Sequence, residues 1–142
     1  MSEYLEFIAS KDRSVTFNQI VESFMPSEAF DYQQAIIRWA LRKGRACIFA
    51  GTGLGKTLME LAWAENVQRF WKWRVLVLAP LAVADQIVSE GERFGINVNK
   101  IRGPQDIGGP GIYVTNYAKL HMVRNEEWSG LVLDESSIIK HH

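Results

Sequence analysis

The sequence predicts an α/β fold built on a mostly parallel sheet, and three observations predict it. An apolar run, Ala46-Cys47-Ile48-Phe49-Ala50, leads directly into the glycine-rich segment Gly51-Thr52-Gly53-Leu54-Gly55-Lys56-Thr57. Val75-Leu76-Val77-Leu78-Ala79 and Leu131-Val132-Leu133 are continuous rather than alternating apolar runs, as strands of a parallel sheet covered on both faces require. Segments with helical spacing separate these runs, so strands and helices alternate along the chain.

In chain order, Leu5, Ile8 and Ala9 predict a short amphipathic helix that the polar stretch Ser10 to Ser14 breaks. Residues 1–26 are assigned to this N-terminal helical extension and 27–142 to the α/β domain. Asp31 followed by Gln34 has the spacing of a capping box, and Ile36, Trp39 and Ala40 recur at helical spacing until Gly44. After the glycine-rich segment, Leu58, Leu61, Ala62 and Val67 predict a second helix that ends near Phe70 to Trp73. The strand at Val75 to Ala79 is followed by a return helix over Leu81 to Phe94, closed by Gly95. Asn97 to Ile101 and Ile112 to Val114 predict two further strands around a Gly/Pro loop, Tyr117 to Val123 a short helix, and Leu131 to Leu133 a last strand.

The 142-residue chain suits one domain, and with 47% apolar residues it has a core of ordinary size to bury. Its 16 basic and 16 acidic side chains balance, which excludes a strong whole-chain field toward nucleic acid and leaves room only for a local basic strip. The single cysteine, Cys47, excludes an intrachain disulfide, and its place in an apolar strand predicts packing rather than reactivity. Met1 to Glu6 has no basic leader and no long apolar stretch, and the run from Val75 to Ala84 is interrupted by Pro80, so a soluble protein without a membrane partner is expected. The three histidines and one cysteine show no metal-ligand spacing. Trp39 and Trp63 are expected in the core, and the cluster Phe70-Trp71-Lys72-Trp73-Arg74 is expected to pack a helix end rather than stack on bases.

Gly51 to Thr57 points to phosphate chemistry. Glycines let backbone N–H groups turn inward and approach phosphate oxygens that a side chain would block. In such a loop Gly51, Thr52, Gly53, Leu54 and Gly55 cradle a nucleoside triphosphate, Lys56 neutralises its β- and γ-phosphates, and the Thr57 hydroxyl ligates magnesium. A helix beginning near Lys56 aims its N-terminal dipole at the same anion. A glycine turn that binds nothing would need neither the lysine nor the threonine. The general pattern G-x-x-x-x-G-K-[ST] asks for glycine where this chain has Ala50.

Leu131-Val132-Leu133-Asp134-Glu135 delivers two adjacent carboxylates at the carboxyl end of a strand, where open α/β sheets place their ligands. Asp134 would hold the magnesium ion through its water shell, and Glu135 would polarise the attacking water as general base. An acidic pair after a strand is by itself more often a solvated turn. Behind a phosphate loop the balance reverses.

Tyr32-Gln33, Ala50 to Thr57, Ala79-Pro80, Thr115-Asn116-Tyr117 and Asp134-Glu135-Ser136-Ser137 together resemble successive motifs of the first RecA-like domain of superfamily 2 helicases. The likeness is greatest to the Snf2-related, DEAD-like helicases of phages and prophages, and it runs from Phe30 to Lys140. In that family the first motif reads A-x-x-G-x-G-K-T, so Ala50 is the expected residue. The resemblance implies a RecA-like P-loop three-layer fold, ATP and Mg2+ as cofactors, DNA as partner and the cytoplasm of a bacterium or phage-infected host. Gln33 would recognise adenine with an amide that donates and accepts, with Phe30 or Tyr32 stacking on the base; the alternative is a polar glutamine on an exposed helix face. Pro80, Thr115 and Asn116 match positions from which the family touches the nucleic-acid backbone, and Asn116 reads equally as an N-cap. Ser136-Ser137 stands where better-known boxes carry Ala-His or Ala-Asp, which leaves the coupling of nucleotide state to DNA open.

By the same resemblance, the chain stops before the next motif and before the second RecA-like domain, whose arginine stabilises the transferring phosphoryl group. A truncated domain that hydrolyses ATP slowly or not at all is therefore expected. The family's next strand inserts between the phosphate-loop strand and the Asp-Glu strand. Without it, either those two strands pair directly and leave the sheet incomplete at its C-terminal end, or another chain supplies a strand and the protein self-associates. Competing readings are a P-loop interaction module without turnover and a small P-loop kinase or GTPase, for which the sequence has no N-K-x-D.

Overall fold

Continuous apolar strands need cover on both faces, and the computed structural model supplies it for the residues it describes, 20–44, 46–49 and 55–134. Helix α1 (Asp31–Leu41) precedes β1 (Ala46–Phe49), followed by α2 (Lys56–Trp71), β2 (Arg74–Ala79), α3 (Leu81–Arg93), β3 (Val98–Lys100), β4 (Gly111–Asn116), α4 (Leu120–Val123) and β5 (Gly130–Asp134). Short 3-10 turns occupy Pro104–Asp106 and Tyr117–Lys119. The strands form one sheet in the order β1-β5-β2-β4-β3, with every neighbouring pair parallel. The predicted α/β class and parallel sheet are both present. The predicted helix at Leu5 to Ala9 lies outside the described residues.

The strand period of two divides the interior into two layers. Val75, Val77, Ala79, Ile112, Val114 and Val132 share one core with Ile37, Leu61, Trp63 and Ile87 from the three long helices. Leu76, Leu78, Tyr113, Leu131 and Leu133 join a second core with Leu120, Val123 and Trp128. Because β2 lies between β5 and β4, every one of its residues is buried. Each large apolar side chain enclosed in this way contributes about 1.5–3 kcal/mol relative to exposure.

Helix α1 departs from its sequence reading. Its buried residues are Gln33, Ile37, Ala40 and Leu41, whereas Ile36 and Trp39 face outward. Trp39 is 52% exposed, with the Lys43 ammonium 5.0 Å from its ring centre, while Trp63 fills the core position expected of it. The cap shifts as well. Phe30 is the extended N-cap residue, so Asp31 already lies in the first turn, where its charge meets the helix dipole. The side chain that reaches back is therefore Gln33, whose Oε1 accepts the Phe30 N–H at 2.8 Å, rather than Gln34, whose Nε2 donates to the Ala29 carbonyl at 3.1 Å.

Strands β1 and β5 pair directly, with Phe49 opposite Asp134, the first of the two arrangements expected for these strands. At the amino end of the sheet, the Arg74 guanidinium lies 4.4 Å from the Trp73 ring centre and 5.3 Å from that of Trp128. Trp73 Nε1 donates to the Glu127 carbonyl at 3.0 Å. Trp73 and Arg74 thus pack the end of the sheet remote from the glycine-rich segment, whereas the sequence reading placed the cluster at a helix end.

One polar residue in this interior carries no motif. Asn66 is fully buried on α2; its Oδ1 accepts the N–H groups of Ser23 and Phe24 at 2.6 and 3.0 Å, and its Nδ2 donates to the carbonyls of Phe24 and Ala62 at 2.8 and 2.7 Å. The amide thereby fastens the segment before α1 to the central helix. Asn66→Leu strands the backbone groups of Ser23 and Phe24 and is expected to lower unfolding free energy by about 2–4 kcal/mol in urea titrations. A loss below about 1 kcal/mol would show that the segment is held by other means.

Candidate functional site

The β1–β5 register decides where the polar groups meet. Asp134, the last residue of β5, stands level with Phe49, the last residue of β1, so its carboxylate lies at the carboxyl edge from which the glycine-rich segment departs. Gly51 to Leu54 lie outside the described residues, as do Glu135 and Ser136-Ser137. Gly55 is the N-cap of α2 with φ +96°, a left-handed conformation that glycine adopts without a Cβ penalty. A Cβ there would also overlap the Gln33 amide nitrogen. One missing atom thus permits both the entry into α2 and the close approach of α1.

The first residue of α2 then spans the site. Lys56 Nζ lies 2.8 Å from Asp134 Oδ1, with the lysine side chain 11% exposed and the aspartate fully buried. Thr57 follows, half-buried, and Glu60 projects from the same helix face at i+3 and i+4. Glu60 is fully buried, and no N–H or O–H group of the described residues reaches its carboxyl oxygens. The negative charge of Asp134 bears on it. Burial first, then the Asp134 charge and the hydrogen bond to it, push Glu60 well above the usual carboxylate range, against the opposing pull of Lys56.

A cleft of about 330 Å³ opens beside this centre, lined on one side by Phe30, Tyr32 and Gln33 and on the other by Glu90, Arg93 and Phe94. Phe30 and Tyr32 are exposed and stacked on each other, their ring centres 6.3 Å apart. Gln33 is 3% exposed, which removes the reading of a polar glutamine on an open helix face. Its Oε1 is held by Phe30 and its Nε2 lies against Gly55 at the floor of the cleft.

Pro80 and Asn116 come together at the same edge of the sheet, because Ala79 pairs with Asn116. Pro80 is the N-cap residue of α3, its carbonyl accepting the Val83 N–H at 2.9 Å. The Thr115 hydroxyl is buried and donates to the Ile101 carbonyl at 3.2 Å, and Asn116 Oδ1 caps the following turn through the Ala118 N–H at 3.0 Å. Tyr117 completes this set, its hydroxyl donating to the Asp134 carbonyl at 2.6 Å. Thr115, Asn116 and Tyr117 therefore connect the ends of three strands, and one of those connections fixes the backbone of Asp134.

A lysine at a helix start, preceded in sequence by a glycine-rich segment and ion-paired to a strand-end aspartate, brings the two sequence motifs together. A family model for the type III restriction enzyme res subunit matches residues 26–139. The chain belongs to this family. The matched region is a DEAD-like superfamily 2 helicase N-terminal domain with a RecA-like fold, so the protein carries a helicase-type ATP-binding domain, and the family generally uses ATP and Mg2+. No curated protein matches the chain. No helix among the described residues is long and apolar enough to cross a membrane.

The family reading of the sequence did not anticipate Glu60, Glu90, Arg93 or Phe94. A signal for Glu60 was present, since a charged residue between Leu58 and Leu61 interrupts a buried stripe one helical turn from Lys56. Glu90 to Phe94 carried no local signal, because only the crossing of α3 brings them beside α1.

The pH dependence of stability follows from Glu60. Its folded-state pKa is raised, so its contribution is most favourable below the unfolded value of about 4.5 and is lost as pH rises from there through the folded value. The groups bearing on it are Asp134, Glu90 and Lys56. With EDTA present, Glu60→Gln is expected to be more stable than the wild type in neutral and alkaline solution, and the advantage should vanish near pH 4. A difference independent of pH in denaturation experiments would contradict this.

Proposed function

We propose that the domain holds ATP with Mg2+ at the start of α2 and serves as the ATP-binding half of an Snf2-like DNA helicase or translocase. The ion pair between Lys56 and Asp134 carries this reading, because it joins the two motifs that such chemistry requires over 78 residues of sequence. Gly51 to Gly55 would enclose the phosphates with backbone N–H groups, and Lys56 would leave Asp134 to meet the β- and γ-phosphates. The Thr57 hydroxyl and the Asp134 carboxylate are hard oxygen donors of the kind Mg2+ takes, and they would hold it. Bound there, the ion would neutralise charge developing on the phosphate oxygens. Glu135 would accept a proton from the attacking water. In the cleft, Gln33 Nε2 would donate to the base while Phe30 or Tyr32 stacks on it.

Pro80, Thr115 and Asn116 are proposed to face the nucleic-acid backbone. Support comes from their shared edge of the sheet, although in the state described Thr115 and Asn116 bond within the protein. Productive turnover is proposed to need a second RecA-like domain that contributes an arginine. Self-association through an incomplete sheet is a further proposal, which the direct β1–β5 pairing makes less necessary.

Calorimetry with Mg2+ and ATP tests the site. Lys56→Ala is expected to weaken binding by about a hundredfold, with a thermal melt recorded alongside because the change leaves Asp134 and Glu60 without their nearest cation. Hydrolysis by the chain alone should be slow and should rise on adding DNA and a second RecA-like domain. Undiminished binding in Lys56→Ala, or full turnover by the chain alone, would refute this account. A folded chain with no ATP affinity at millimolar concentration would instead be an interaction module.

A further inference from the structure

The proposed chemistry uses one wall of the cleft beside α2 and leaves the other without a task. Phe30, Tyr32 and Gln33 at the start of α1 form the first wall; Glu90 and Arg93 on α3, with Phe94 just past its end, form the second. Gly55 and Thr57 line the same space, so it runs on directly from the start of α2. At about 330 Å³ it is the size of a small-molecule site.

The two walls are chemically complementary to a flat ring system. Phe30 and Tyr32 are exposed and nearly parallel, their planes 16° apart, so large apolar faces are open to whatever enters. Opposite them stands Arg93, also exposed, its guanidinium 5.2 Å from the Phe94 ring centre. Glu90 precedes it at the i,i+3 spacing of a helix ion pair, yet no ion pair joins the two among the described residues. A guanidinium is planar and weakly hydrated, and it stacks on ring faces where an ammonium does not. Both α1 and α3 pack against α2, so the walls are held in place before a ligand arrives.

We infer that Arg93 is a base-binding residue, its guanidinium covering the face of the purine that Phe30 or Tyr32 leaves open, so that the base is held between α1 and α3. This rests on the ATP reading above and deepens it by assigning the second wall of the base subsite. An arginine in the last turn of α3 also favours the helix dipole and covers Phe94, roles that involve no ligand. A third role, attraction of the phosphates, needs its charge but not its plane. Substitutions that keep one property and remove the other separate the three.

The test is ATP affinity by calorimetry with Mg2+, with a thermal melt recorded for each variant. Arg93→Ala is expected to weaken binding about tenfold. Arg93→Phe keeps a flat face without charge and should stay within about threefold of wild type, whereas Arg93→Lys keeps the charge without the plane and should remain at least about fivefold weaker. Wild-type affinity in Arg93→Lys would assign the arginine to phosphate charge and overturn the inference. So would Arg93→Phe binding as weakly as Arg93→Ala. Unchanged affinity with a lowered melting temperature in Arg93→Ala would show a helix-end role alone, and overturn it as well. Each of these leaves the ATP site standing, whereas no ATP binding by the wild type would overturn both. If Arg93→Ala does not fold, the Phe and Lys variants decide by the same comparison.

Discussion

One ammonium group and two carboxyl groups are enclosed where β1, α2 and β5 meet, and much of the molecule is arranged around that constraint. Asp134 and Glu60 are both fully buried, and buried charge is tolerated only when it is paired or protonated. Lys56 supplies the pairing for Asp134 at 2.8 Å, and burial beside that charge favours the neutral form of Glu60. For Lys56 to reach Asp134, β1 and β5 must end level, α2 must begin beside them, and the chain must turn sharply into that helix. The register of Phe49 with Asp134 and the left-handed Gly55 meet those requirements.

The two ends of the sheet are built differently for this reason. The amino end is closed by packing, with Arg74 over Trp73 and Trp128 and the indole of Trp73 on the Glu127 carbonyl. The carboxyl end is polar and held by directed hydrogen bonds from Thr115, Asn116 and Tyr117, whose partners are Ile101, Ala118 and Asp134. Directed bonds fix side-chain positions to fractions of an ångström, as charge chemistry requires, while apolar contacts supply stability. Tyr117 belongs to both tasks, since it lies against the second core and bonds the strand end that presents Asp134.

Much of this was legible in the chain. The alternation of apolar runs with helical spacing gave the parallel α/β class, and the glycine segment with Asp134 gave the two halves of the site, because each is encoded by adjacent residues. What depends on facing was less legible. In α1 the apolar side chains of Ile36 and Trp39 fit a helical stripe as well as Ile37 does, and only contact with α2 selects Ile37. Gln33 rather than Gln34 closes the cap because the helix begins one residue earlier than the spacing suggested. Asn66 and Glu60 resemble ordinary polar positions on a helix until neighbouring elements enclose them.

If the Lys56–Asp134 ion pair belongs to a nucleotide site, bound nucleotide must divide it. The most direct measurement is a crystal structure of the chain with Mg2+ and a non-hydrolysable ATP analogue. The account predicts that Lys56 Nζ leaves Asp134 for the phosphate oxygens, the separation growing beyond the 2.8 Å seen here, with the ion held between Thr57 and Asp134. An intact Lys56–Asp134 contact with the nucleotide bound elsewhere would contradict it.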